Sequence, residues 1–137
     1  MKKLIIITLL MLPLSGITFA QDVKYQLSSH ILDITLGAPA ANVKISLEKM
    51  DQDRNWSLID EKYTDENGRI KDFLKEENGT NHQGINRLTY FVEPYFKKLN
   101  QSSFYPFIEV VFEIKDQNHY HVPITLSAYG YSTYRGN

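Results

Sequence analysis

Two histidines separated by one residue, His119 and His121, are placed where they could do chemistry together. They fall in an alternating run, and successive side chains of a strand point to opposite faces, so both imidazoles are expected on one face. Tyr120 and Val122 then occupy the other face. A neutral imidazole, with an ordinary pKa of about 6.5, can take a proton from water near neutral pH. Taken alone, however, a strand histidine is more often structural or exposed than catalytic.

The same two histidines offer nitrogen ligands to a metal ion. With His30 or His82 as a third ligand they would resemble the nitrogen-rich sites that zinc prefers, although nothing in the sequence fixes that third ligand. His82 lies in the polar segment 81–84, where an exposed side chain is expected. We therefore predict no metal and no cofactor, and keep a three-histidine metal site as an alternative.

The strand that carries the pair must turn back soon afterwards. Pro123 has no backbone N–H, so this strand is expected at a sheet edge or at a bulge. Residues 127–130 (Ser-Ala-Tyr-Gly) predict a tight reversal, and residues 131–135 predict a returning strand. Because the chain closes on Tyr-Arg-Gly-Asn without a polar tail, we expect the terminus to be tied down.

The rest of the chain shows short alternating segments separated by turn residues, which is typical of an all-β sandwich. Pro94 is expected to start a short helix over 95–100, and the weakly patterned residues 70–84 are expected to be mostly loop. Five aromatic side chains are expected in the sandwich core rather than on a platform for nucleic acid: Tyr90, Phe91, Phe104, Phe107 and Phe112. The remaining predicted strands are 27–34, 43–50, 56–63, 86–93 and 104–114.

The N-terminus has the pattern of a secretory signal peptide. Two lysines are followed by the apolar run 4–12 and by small residues that end at Ala20. We predict a signal peptide over 1–20, too short to span a bilayer, and a single domain over 21–137. The predicted destination is the periplasm.

The composition of the mature chain excludes some partners. After removal of residues 1–20, 13 basic and 16 acidic residues remain, a net charge of −3. Such a weakly acidic balance gives no electrostatic footprint for nucleic acid or for an anionic membrane. The sequence has no cysteine, so stability is expected from the core and from subunit contacts rather than from disulfides.

The C-terminal motif resembles that of the 5-hydroxyisourate hydrolases, the transthyretin-like enzymes of urate breakdown. Tyr120-His121-Val122-Pro123, Leu126-Ser127 and residues 129–136 carry the resemblance. The family usually closes on Tyr-Arg-Gly-Ser, whereas this chain has Asn137, and Ala128 stands where proline or glutamine is usual. Further matches extend it over essentially the whole mature chain: residues 30–33, Gly37, 39–40, Val43, Ile45, 64–69, 91–96 and 105–106.

The resemblance implies a transthyretin-like sandwich of two four-stranded antiparallel sheets with one short helix. It also implies a homotetramer with sites between subunits. The implied catalytic residues are His30, Arg69 and His121, and the implied substrate-binding residues are Tyr134, Arg135, Gly136 and Asn137. Other readings stay open: Arg69 as a solvated turn residue, Arg135 as the partner of a carboxylate, and Tyr134 as a packing residue.

The implied function is hydrolysis of 5-hydroxyisourate to 2-oxo-4-hydroxy-4-carboxy-5-ureidoimidazoline. A histidine would activate water to open a cyclic amide, while an arginine would hold the anionic ring with its planar donor fork. The alternative is a non-catalytic, transthyretin-type carrier of a small aromatic ligand, which Asn137 slightly favours. A structural or adhesive β-sandwich would leave the placement of His121 and Arg69 as coincidence.

Overall fold

The computed structural model describes residues 22–137, so the predicted signal peptide over 1–20 lies outside the described residues. Within that range no helix is long and apolar enough to cross a membrane. The described chain forms nine strands and one helix: β1 (Tyr25–Asp33), β2 (Ala38–Pro39), β3 (Lys44–Met50), β4 (Trp56–Tyr63), β5 (Arg69–Lys75), β6 (Gly84–Phe91), α1 (Glu93–Lys98), β7 (Ile108–Ile114), β8 (Tyr120–Ser127) and β9 (Gly130–Thr133).

These strands build two sheets that pack face to face, so the predicted transthyretin-like sandwich with one short helix is confirmed. The second sheet has the order β4-β3-β6-β7 and is antiparallel throughout. The first sheet has five strands rather than four: the order is β2-β1-β8-β9, and β5 also pairs with β1. Within it, β1 and β8 run parallel, which a pair without a hairpin between them is free to do.

Alternation along β1 separates the core from the outer face of the first sheet. Leu27 and Ile31 are fully buried between the sheets, together with Ser29. Ser29 compensates its burial by hydrogen bonds to the Tyr90 hydroxyl at 2.9 Å and to the Val122 carbonyl at 2.8 Å. The intervening residues of β1 therefore point to the outer face, which leaves that face available for a site.

Two expectations about the middle of the chain need correction. The first part of residues 70–84 is not loop, because Arg69–Lys75 forms β5 against β1, whereas residues 76–83 lie outside the strands as expected. The alternation was hard to see since the register shifts between Leu27 and Ser29 and Leu74 has a positive φ of 58°. Tyr90 is in the core as expected, but Phe104 and Phe107 are 70% and 47% exposed.

Pro123 lies where strand pairing is irregular, which is one of its two expected environments. Its strand β8 lies between β1 and β9, not at the sheet edge. The hydrogen-bonded ladder between β8 and β9 begins only at Ile124. Before it, the two segments of the chain pair only through a single bridge between His121 and Gly136. The missing N–H of proline is thus tolerated where the pairing with the last strand is interrupted. The predicted reversal over 127–130 is confirmed.

Gly68 fixes the turn that leads into β5 and delivers Arg69. Its φ is +68°, and an added Cβ would lie 2.6 Å from the Ile31 carbonyl oxygen. We expect Gly68→Ala to lower the free energy of unfolding by about 2 to 4 kcal/mol, because backbone strain adds to a clash with rigid backbone. Urea denaturation measures this loss.

Gly37→Ala is the matched control for this prediction. Its φ of +65° imposes the same backbone strain, but nothing lies within 4 Å of the added Cβ. We expect a loss of about 1 kcal/mol there. Equal losses at both glycines would show that the contact with Ile31 contributes nothing.

Candidate active site

The outer face of the first sheet brings the three predicted catalytic residues together. His30 on β1 lies opposite Arg69 on β5, and residues directly opposite each other in an antiparallel pair share a face. Ser28, two residues before His30 on the same face, lies opposite His121 on β8. His30, Arg69 and His121 therefore stand on three adjacent strands and are each partly exposed.

Burial and neighbouring charges keep the His121 ring in its neutral form. Partial burial is the largest cause that lowers the pKa of His121, followed by the Arg69 cation and by His30 and His119. A hydrogen bond with the Ser28 backbone acts in the opposite direction, but the pKa still lies below 6.5. A neutral imidazole is the form that can accept a proton from water.

The pKa of His30 is lowered by similar causes. Burial lowers its pKa most, and the Arg69 guanidinium lowers it further, whereas a hydrogen bond to the Asn67 backbone and the Asp65 carboxylate raise it. Arg69 thus acts on both histidines while remaining a fixed cation. A substrate that carries negative charge would meet one permanent positive charge beside two histidine rings whose neutral form is favoured.

The turn before β5 orients Arg69 through its backbone. The Asp65 carboxylate accepts hydrogen bonds from the Asn67 and Arg69 N–H groups, both at 2.9 Å, and the Gly68 N–H donates to the Asp65 carbonyl at 2.9 Å. Such an aspartate turn is a common local motif of loops. Arg69 is therefore not a solvated turn residue but the first residue of a strand.

The C-terminal tail is held against His121, as expected for a terminus that is tied down. The Gly136 N–H donates to the His121 carbonyl at 2.8 Å. An added Cβ at Gly136 would overlap the Cδ2 atom of the His121 imidazole. The tail therefore borders the ring directly, and only a glycine fits at this position without moving it.

Two side chains of the tail lie elsewhere. The Arg135 guanidinium stacks over the Tyr120 ring, with Cζ 4.7 Å from the ring centroid. Since Tyr120 and His121 are consecutive in β8, Arg135 lies on the opposite side of that strand from His121. Tyr134 is 59% exposed. Substrate binding by Tyr134, Arg135, Gly136 and Asn137 stays a prediction.

Ser28 is a component of the site that sequence reasoning missed. Its Oγ lies 2.8 Å from His121 Nδ1 and 2.8 Å from His119 Nε2. His119 and His121 thus share a face, as their spacing predicts, and both contact the same hydroxyl. The signal that could have found Ser28 is its position two residues before His30, which places it on the same face of β1.

Among residues 22–137, no group of three His, Cys, Asp or Glu side chains is placed to hold a metal ion, so the alternative of a three-histidine metal site has no support there. His82 is half-buried rather than exposed, and its Nε2 lies 2.9 Å from the Lys75 carbonyl. It lines an open cavity of about 740 Å³ together with Lys24 and Lys75. The lining of that cavity includes none of the candidate catalytic residues.

The lowered pKa values of His30 and His121 set an expected pH profile. Because the base must be neutral, kcat/KM is expected to hold on acidification to pH 6.5 and to fall only below it. The unfolded histidines bind protons more readily than the folded ones, so the stability that these groups contribute is full above pH 6.5 and is lost below it. A kcat/KM profile with its acid limb centred above pH 7, while chemistry limits the rate, would contradict this.

Comparison with known proteins gives concordant results. The profile of the HIUase/Transthyretin family matches residues 27–136. A probable 5-hydroxyisourate hydrolase of Caenorhabditis elegans is 48% identical over 112 residues, which are 81% of each chain. The structure of Klebsiella pneumoniae 5-hydroxyisourate hydrolase matches with a TM-score of 0.67 and 31% identity over 81% of this chain and 98% of that one. Sea bream transthyretin in complex with thyroxine matches with a TM-score of 0.74 and 26% identity over 81% and 94%.

Proposed function

The chain belongs to the HIUase/Transthyretin family, and we propose that it hydrolyses 5-hydroxyisourate to 2-oxo-4-hydroxy-4-carboxy-5-ureidoimidazoline in urate degradation. The observation that carries this proposal is the placement of His30, Arg69 and His121 on adjacent strands of one sheet face. A carrier of a ligand needs neither two histidines of lowered pKa nor a cation beside them. A hydrolase that uses water needs both a base and a site for developing negative charge.

The proposed reaction is the opening of a cyclic amide. His121 takes a proton from water as the water oxygen bonds to the carbonyl carbon, and Arg69 stabilises the negative charge that develops on the carbonyl oxygen. The carbon–nitrogen bond of the ring then breaks, and the proton on His121 passes to the leaving nitrogen. His30 helps to position the water, and Arg69 also holds the anionic edge of the substrate.

A direct assay tests the proposal. Uricase generates 5-hydroxyisourate from urate, and the ultraviolet absorbance of this product is followed with and without the protein. We expect the protein to accelerate the decay in proportion to its concentration. Decay at the spontaneous rate across protein concentrations and from pH 6.5 to 8 would exclude the activity.

We further propose a homotetramer in which the sites lie between subunits. The patch around His121 is open in the single chain, and a second subunit would exclude water from it. Several large apolar side chains are also exposed, including Phe104 at 70%, Val111 at 57% and Tyr129 at 75%. Sedimentation equilibrium measures the assembly, and a monomer that retains full activity would refute it.

For localisation, we propose that the protein is exported to the periplasm and that its signal peptide is cleaved after Ala20. Its support is the basic, then apolar, then small-residue pattern of residues 1–20. Mass spectrometry of the protein from a periplasmic fraction would give the N-terminal residue. An intact N-terminus in the cytoplasm would contradict the proposal.

Asn137 decides between the enzyme and the carrier. Asparagine donates and accepts hydrogen bonds but is neither usefully acidic nor basic, so it can position a group but cannot relay a proton. Since His30, Arg69 and His121 are in place, we expect Asn137→Ser to change kcat/KM by less than about tenfold. A rise of a hundredfold or more from a near-zero rate would make the native protein a binder of the transthyretin type.

A further inference from the structure

Three polar contacts on the outer face of the first sheet connect the backbone of β1 to the His121 ring. His119 Nδ1 lies 2.9 Å from the Tyr25 carbonyl oxygen. His119 Nε2 lies 2.8 Å from Ser28 Oγ, and Ser28 Oγ lies 2.8 Å from His121 Nδ1. Every separation is within hydrogen-bonding distance, so four groups form one continuous chain.

The first contact fixes the direction of all the others. A backbone carbonyl only accepts, so His119 Nδ1 carries a proton and donates it to Tyr25. In neutral His119 the Nε2 atom is then an acceptor, and the Ser28 hydroxyl must donate to it. Having used its only proton, the Ser28 oxygen can only accept from His121 Nδ1. His121 is thereby the tautomer that is protonated on Nδ1.

This tautomer leaves the Nε2 lone pair of His121 free. A Cβ added at Gly136 would meet the Cδ2, Cγ and Cβ atoms of His121, and Cδ2 is the ring atom bonded to Nε2. The tail therefore borders the edge of the ring next to the free nitrogen. The other ring nitrogen, Nδ1, faces Ser28, so an incoming molecule cannot reach it from that side.

We propose that Ser28 and His119 are positioning residues that hold His121 in its Nδ1–H tautomer and so present Nε2 as the base. This proposal rests on the hydrolytic function for its kinetic consequence, but not for the tautomer itself. The arrangement uses a serine and a second histidine where a carboxylate often orients a catalytic histidine.

Nitrogen-15 NMR of the histidine rings at about pH 8, well above the pKa of an ordinary imidazole, reads the tautomer without substrate. In the wild-type protein we expect the His121 proton on Nδ1. In His119→Phe the Ser28 hydroxyl loses its acceptor and is free to donate to His121 Nδ1, so the population is expected to move towards Nε2–H. Ser28→Ala removes the bridging oxygen and is expected to leave a mixture of tautomers.

Kinetics on the same variants give the second readout. We expect kcat to fall by about tenfold to 10²-fold in His119→Phe and in Ser28→Ala, with KM changed by less than about threefold, because only the base is misplaced. Ser28→Thr keeps the hydroxyl and is expected to restore both the tautomer and most of kcat. His82→Phe is the matched control, since that ring contacts the Lys75 carbonyl and is expected to leave the His121 spectrum unchanged.

The two proposals fail differently. A His121 ring that is protonated on Nε2 in the wild type, or one whose tautomer is the same in all variants, would overturn the positioning role of Ser28 and His119. An Nδ1–H tautomer that shifts as described in a protein without hydrolytic activity would uphold that role and refute the proposed function instead. Circular dichroism confirms that each variant is folded before its spectrum is interpreted.

Discussion

Replacing His121 with alanine is expected to lower kcat by about 10²-fold or more, the loss typical of a missing general base. The ring has a lowered pKa, lies close to the Arg69 cation and is bordered by the tail at Gly136. Its removal takes away the proton acceptor while the rest of the sheet face remains. KM should change much less than kcat, because the variant keeps Arg69, the proposed binding group for the anionic substrate.

Steady-state measurement of 5-hydroxyisourate decay at pH 7.5 gives the two constants. His82→Ala serves as the control, because that histidine lies against Lys75 and outside the site, and it should keep the wild-type rate. Imidazole added to the His121→Ala variant should recover part of the rate if the ring acts only as a base. A loss smaller than about fivefold would assign the base to another group, with His30 the next candidate.

Gly136→Ala is expected to lower kcat/KM by about 10²-fold without unfolding the protein. The added Cβ would overlap the Cδ2 atom of His121, so either the ring or the tail must move. A displacement of about 1 Å at a reacting group can cost this much in rate. Global stability should change by less than about 0.5 kcal/mol, because the affected segment lies at the exposed chain end.

Gly130→Ala is the matched control in the same tail. The nearest atom to its added Cβ is Ser127 Oγ at 3.7 Å, an ordinary van der Waals contact. We expect its kcat/KM to stay within about threefold of the wild type. Equal rates for Gly136→Ala and the wild type would show that the tail yields freely and does not fix the His121 ring.

The strand pattern of most of this chain can be read from the sequence, because alternation reports a half-buried strand wherever the register is regular. Residues 56–63 are a strand with those bounds, and 43–50 differ from β3 by one residue. The strand over 70–75 was missed, because the register shift of β1 opposite β5 and the positive φ of Leu74 disrupt the two-residue period. The sequence reading also failed at Phe104 and Phe107, since apolarity alone does not place a side chain in the core of a single chain.

The site could be predicted only in part, for a related reason. The spacing of His119 and His121 gives their common face, and the family motif gives His30 and Arg69. Ser28 was missed because its role depends on the register between β1 and β8, which no local pattern contains. The position of Arg135 over Tyr120 likewise depends on how the tail crosses the sheet after β9.

The parallel pairing of β1 with β8 has a consequence for how the protein acquires its site. Ser28 and His121 are 93 residues apart in sequence, yet their side chains touch. Such pairing of distant segments closes a long loop, whose entropic cost must be met before the contacts reward it, and folds dominated by these contacts form slowly. During synthesis β1, which carries His30, leaves the ribosome long before β8, so the two strands can pair only after most of the chain has been made. The candidate site is therefore among the last parts of the molecule that can be completed, and a chain that stops short of β8 has His30 and Arg69 but lacks His121.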